Sequence, residues 1–219
     1  MEKKSTLGLA AKKMIPIPKK KMASKEPHLE ECRIGGREEI EIKAYLSQCL
    51  LDPNDIFKMW DFTKICLIYN QSLLQSFGEK RREMKSLGRR GQELEVGFGF
   101  LAVKHATVES IYRQGLSVNH CDIKALGDPS QGVYLTRHID ICLKVCMQQG
   151  LLRSTIVLFK VLYGKVKSLI PRTQHDKPLE PSCNYDCHIP QKKPKLNEPL
   201  NLQNYSACFP HFFMEPAYR

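Results

Sequence analysis

A chain of 219 residues is long enough to bury a core and to hold one domain of ordinary size with tails. Its 42% hydrophobic content, with no run of about 18 uncharged apolar residues, fits a soluble globular protein and excludes a helical membrane span. A formal net charge of +11 admits an anionic partner, nucleic acid or acidic protein, without naming one.

The first 36 residues are expected to form a disordered basic tail, because lysines and prolines alternate there without apolar periodicity. The segment "PIPKKK" reads as a solvated terminus, a nuclear import signal or a loose phosphate contact. No apolar leader precedes it, and nine cysteines make an odd number, so reduced thiols in cytosol or nucleus are expected.

Residues 37–91 read as helical. A first helix runs from Arg37 through Tyr45, Leu46, Cys49 and Leu50 until "DPN" interrupts it. Asn54 or Asp55 caps a second, longer one through Trp60, Leu67, Leu74 and Phe77 into "GEKRREMKSL", whose mixed charges read as a solvated face.

The core is expected over 92–190. "VGFGFLAV" predicts a buried strand whose glycines let a neighbour approach closely. Thr107 then caps a short helix carrying Glu109, Ile111 and Arg113 and ending at Gly115. "VNHCDIKAL" predicts a further strand, and the Gly127–Ser130 turn leads into "GVYLT". In "RHIDICLKVCMQQG", Ile139, Cys142, Leu143 and Cys146 share one helix face, so the thiols belong to the core. "STIVLFKVLYGKVKSLI" predicts one strand with a bulge or bend at Gly164. From Pro171 onward the composition predicts loop, and 191–219 reads as loop and a divergent end, where Pro216 makes Glu215 a poor strand residue.

The common enzyme signatures, GxGxxG before a helix, the phosphate-loop lysine, HExxH and GxSxG, are absent. "CNYDCH" holds metal-ligand residue types, but no second closely spaced pair completes Cys183, Cys187 and His188, so no metal is expected. The lysines sit mainly in tails and the aromatics Phe98, Phe100, Phe159 and Tyr163 in buried strands, which leaves nucleic-acid binding resting on charge alone.

The stretches "FGFLAVKHATVESIYRQGL", "LGDPSQGVYLTRHID", "TIVLFKVLYGKVKSL" and "NYDCHI", in that order, resemble the N-terminal domain shared by the TASOR family and the long testis-expressed protein fifteen, over roughly Phe77 to Ile189. The resemblance implies an α+β fold like the catalytic domain of poly-ADP-ribose polymerases, a split and mostly antiparallel sheet with flanking helices, regarded as a pseudoenzyme. Active polymerases of that class pair a histidine on the first core strand with a tyrosine that stacks on nicotinamide and a late glutamate.

Gly132 and Tyr134 match the tyrosine strand, as a vestigial pocket. The histidine position falls on Leu101 to Val103, which cannot donate to a ribose hydroxyl, and His105 begins the following helix. No catalytic residue, cofactor or metal is therefore expected. The resemblance implies a docking module in silencing or meiotic proteins, transposon or transcriptional silencing, spermatogenesis, meiotic recombination and synapsis. Its interaction surface would be Thr107, Glu109, Arg113, Asp186 and His188.

Protein partners are expected in nucleus or cytoplasm, with at most weak RNA or DNA contact through the basic tail and no membrane. The alternatives are a divergent mono-ADP-ribosyltransferase using NAD through Tyr134, His105 and Glu215, and a basic nucleic-acid binder. After "NYDCHI" the sequence departs from the family's wording, so a truncated or replaced C-terminus, and a sheet short of one edge strand, are expected.

Overall fold

The computed structural model describes residues 26–51, 62–118, 132–148, 154–170, 180–191, 206–208 and 215–216. The lysines of the tail, the expected caps at Asn54 and Asp55, most of "VNHCDIKAL" and the Gly127–Ser130 turn lie outside these.

Nine-residue strand β3 (Val96–Lys104) and β5 (Ser154–Leu162) form the centre, paired antiparallel in full register from Val96 opposite Leu162 to Lys104 opposite Ser154. Both faces of the pair are covered, which is why both strands read as nearly continuous apolar runs. On one face Leu101, Val103, Val157, Phe159 and Val161 meet Phe77 and Met84 of α2 (Gln71–Ser86) and Ile111 of α3 (Val108–Gln114). On the other, Phe100 and Leu158 meet Ile139 and Cys142 of α4 (Ile139–Gln148). The same cluster takes in Ile42, Tyr45 and Leu46 of α1 (Arg37–Gln48) and Leu67 and Tyr69 of β2 (Cys66–Tyr69), which pairs antiparallel with β1 (His28–Glu31).

A second sheet has the order β4 (Val133–Leu135), β8 (Ser206–Cys208), β7 (Cys187–Pro190), β6 (Val166–Leu169). It joins the first through one antiparallel bridge, Phe100 to Thr136. Gly99 makes that closeness possible: a Cβ there would stand 2.9 Å from Leu135 Cβ. β9 (Glu215–Pro216) adds to the outer side of β5. Only β6 and β7 run parallel among the described strands, so the expected α+β fold with a split, mostly antiparallel sheet is the fold observed. Among the described residues no helix is long and apolar enough to cross a membrane.

Five expectations are corrected. The expected long helix does not run through Leu67: Cys66–Tyr69 is strand β2, with alternating burial, and α2 begins at Gln71. Asn70 sets that start, its Oδ1 accepting from Leu73 N at 3.0 Å. The disordered tail does not reach residue 36, because His28–Glu31 pairs with β2. Ser154–Ile170 is two strands in two sheets, since Gly164 turns the chain at φ +61°. The region after Pro171 is not all loop, as Cys187–Pro190 pairs with β6 and Ser206–Cys208 with β4 and β7. Thr107 does not cap α3 with its side chain; its hydroxyl donates back to Lys104 O at 2.7 Å. The helix ends at Gly115, as the sequence suggests.

Candidate functional site

Strand β4 carries the tyrosine that the sequence singles out. Val133 and Leu135 point into the cluster that also holds Leu101 and Val103, so by strand alternation Tyr134 faces the other side. Its side chain has no accessible surface, 0% exposed. Both ends of the short strand are held by backbone pairing: Tyr134 lies opposite Ala207 of β8, and Phe100 N donates to Thr136 O at 2.6 Å. A ring so enclosed cannot stack on a ligand unless its cover moves. Gly132, before the strand, is buried too.

The partners that would complete a donor site are elsewhere. Leu101 and Val103 are 4% and 6% exposed and packed among aliphatic side chains, with no polar atom to offer a ribose. His105 is exposed, in the single turn after β3, with Nδ1 3.2 Å from Thr155 Oγ1. Glu215, expected to be a poor strand residue, does lie in a strand, opposite Lys160.

"CNYDCH" is built as a structural junction. The Asp186 carboxylate receives Arg89 Nη2 at 3.1 Å, Arg89 Nε at 2.5 Å and the backbone N of Lys165 at 2.7 Å. Asn184, left-handed at φ 64°, turns the chain so that its carbonyl also receives Arg89 Nη2, at 3.2 Å. The bond to Asp186 raises the Arg89 guanidinium pKa above its ordinary value, with burial opposing.

Cys187 and His188, both 0% exposed, are successive on β7 and so point to opposite faces, while Cys183 is exposed. Among the described residues no group of three metal-ligating side chains stands together. This corrects two expected surface residues: His188 is buried with Nε2 3.0 Å from Ser182 Oγ, and Asp186 is committed to Arg89 and Lys165.

What this junction presents outward is a pair of lysines that the sequence reading passed over. Lys165, just before β6, and Lys167, within it, set their ammonium groups 5.0 and 5.5 Å from the centre of the Tyr185 ring. Lys167 Nζ also donates to Ser182 Oγ at 2.9 Å. The alternation in "GKVKSL" was the available signal.

On α3 the structure places the remaining residues of the expected surface as follows. Glu109 and Arg113 are exposed and pair at 3.0 Å one turn apart, with Arg113 also over the Tyr112 ring at 5.5 Å; Thr107 is half-buried. A cleft of about 240 Å³ lies elsewhere, lined by Glu31, Cys32, Glu39, Lys43, Phe62 and Ile65 among others. Its carboxylates are paired, Glu31 with Lys64 at 2.7 Å and Glu39 with Lys43 at 2.8 Å, and no residue of β3, β4 or α3 lines it.

The model of a family described as a protein of unknown function, DUF3715, matches residues 83–205. Protein TASOR of Mus musculus is 30% identical over 187 residues, and that of Xenopus laevis 32% over 190, each match covering 82% of this chain. The chain spans 12% of the length of those relatives. The crystal structure of the TASOR pseudo-PARP domain aligns with a TM-score of 0.72 and 26% identity, over 86% of this chain and 94% of that one.

Proposed function

Because the chain belongs to the DUF3715 family, as a pseudo-PARP domain of the TASOR type, we propose that it is a non-catalytic domain that docks protein partners within a nuclear or germ-cell silencing or meiotic protein. The observation that carries the non-catalytic part is the enclosure of Tyr134, with apolar Leu101 and Val103 where a donor site needs a histidine. A transferase must hold nicotinamide riboside in a fixed pose to expel nicotinamide, and these residues supply neither an open ring face nor a ribose donor.

Docking then falls to surfaces, of which exposed α3 is the first. Silencing, meiosis and spermatogenesis enter through the family resemblance, as an association of fold with role. Partners and compartment belong to the same reading.

Two assays test it together. Incubation with biotinylated NAD should leave the 219-residue chain no more labelled than its Tyr134→Ala variant. Capture of proteins from nuclear extract should lose specific species when Glu109→Lys and Arg113→Glu are combined in a chain that remains folded. Tyr134-dependent labelling contradicts the non-catalytic reading; an unchanged set of captured proteins removes α3 as the docking surface.

A further inference from the structure

We infer that the outer edge of β6 binds an extended, acidic segment of a protein partner as an added strand. The inference rests on the docking reading above and assigns it a second surface with a specific chemistry.

Three observations meet at β6. It is the outermost strand of its sheet among the described strands. Its odd-numbered residues face inward: Lys165 O receives Asp186 N at 2.8 Å, and Leu169 O receives Gln191 N at 2.8 Å. In a parallel ladder the intervening residues turn their N–H and C=O the other way, so Val166 and Ser168 present theirs outward, unused by β7.

The face beside that edge is cationic. Lys165 and Lys167 share it, held over Tyr185, and neither has a carboxylate partner among the described residues. The nearby carboxylate, Asp186, is already taken by Arg89 and by Lys165 N. On the alternate face, Ile170 is 76% exposed just past the strand end.

An added strand that alternates acidic and apolar residues fits this arrangement. Its backbone would take the groups of Val166 and Ser168, its carboxylates would meet Lys165 and Lys167, and an apolar side chain would cover Ile170. Nucleic acid fits less well, because two ammonium groups occupy the Tyr185 ring, leaving no open aromatic platform for a base. Lysines at an edge also discourage pairing with indiscriminate strands, which restricts the partner to an acidic one.

The probe is a fluorescein-labelled peptide of four Glu-Val repeats, titrated with the 219-residue chain and read by anisotropy. The expected result is saturable binding, weakened about tenfold or more by Lys165→Glu with Lys167→Glu. Ser168→Pro should weaken it similarly, because it removes an outward N–H that no described strand uses, with circular dichroism verifying that the fold is intact.

Three results overturn the inference: no binding by the folded chain, equal binding of a backbone N-methylated peptide, or tighter binding of single-stranded DNA than of the peptide. None of them touches docking through α3, whose capture assay the β6 variants should leave unchanged. Loss of α3 capture with β6 binding intact would separate the two in the other direction.

Discussion

The side-chain amide of Asn70 donates to the carbonyl of Tyr112 at 2.8 Å and to that of Arg113 at 2.9 Å, tying the end of α3 to the start of α2. Its Oδ1 meanwhile caps α2 through Leu73 N and accepts from the Ser72 hydroxyl at 2.7 Å. One buried side chain thus satisfies groups at two helix termini. Asn70→Ala should cost about 2 to 4 kcal/mol, the loss of a cap plus buried carbonyls left short of a donor. Asn70→Asp keeps the cap but turns a buried carboxylate oxygen toward the two carbonyls, and so should cost at least as much as Asn70→Ala. Urea denaturation of the three proteins checks this order.

Arg89 and Asp186 form the second such tie, joining the loop after α2 to the β6–β7 junction. Both side chains are mostly buried, so removing Arg89 strands a carboxylate that retains one backbone donor, Lys165 N. Arg89→Met should destabilise by roughly 2 kcal/mol, the range for hydrogen bonds to a charged group. Combined with Asp186→Asn, the loss should be less than additive. Strict additivity in the double-mutant cycle would show that the pair does not couple.

Gly164 should resist substitution for two separate reasons. Its φ of +61° is a left-handed turn, and a Cβ would stand 2.6 Å from Asp186 Cβ. Gly164→Ala should therefore cost about 1 to 3 kcal/mol and loosen β6 specifically. Hydrogen exchange that quickens at β6 and β7 but not at β3 is the expected signature.

Cys32 gives the fold a pH dependence on the alkaline side. Burial, and then Glu38 nearby, push its thiol up from 9.0 to about 11. Between those values the unfolded chain has lost a proton that the folded chain keeps, so stability falls as pH rises from 9 to 11 and is unaffected by this thiol below 9. Denaturation midpoints for Cys32→Ala should decline less steeply across that window than those of the parent chain. Parallel curves would assign the alkaline loss to other groups.

Much of the architecture is legible in the sequence. β3 announces itself by an apolar run with Gly97 and Gly99, α3 by its first-turn acid and terminal Gly115, and α4 by the spacing of Ile139, Cys142, Leu143 and Cys146, all of them buried. The helix drawn through Leu67 failed because "ICLIY" is short and apolar enough to suit either period, and its strand identity depends on β1, which lies beyond a long connection.

β6 was read as the end of one strand with β5, and β7 as loop, for a related reason. Their parallel pairing puts Lys167 beside His188, twenty-one residues on, and no local pattern reveals a crossover of that kind. The candidate site divides in the same way. The Tyr134 strand and the apolar character of Leu101 and Val103 were readable in one dimension. The ion-paired Asp186, the buried His188 and the lysine pair displayed over Tyr185 exist only through that register.

Isothermal titration of NAD into the purified, folded 219-residue chain, beside its Tyr134→Ala variant, bears most directly on the central claim. The enclosed Tyr134 and the apolar Leu101 and Val103 predict heats of dilution alone for both proteins. Saturable binding that disappears in Tyr134→Ala would contradict the account and restore the β4 pocket as a ligand site.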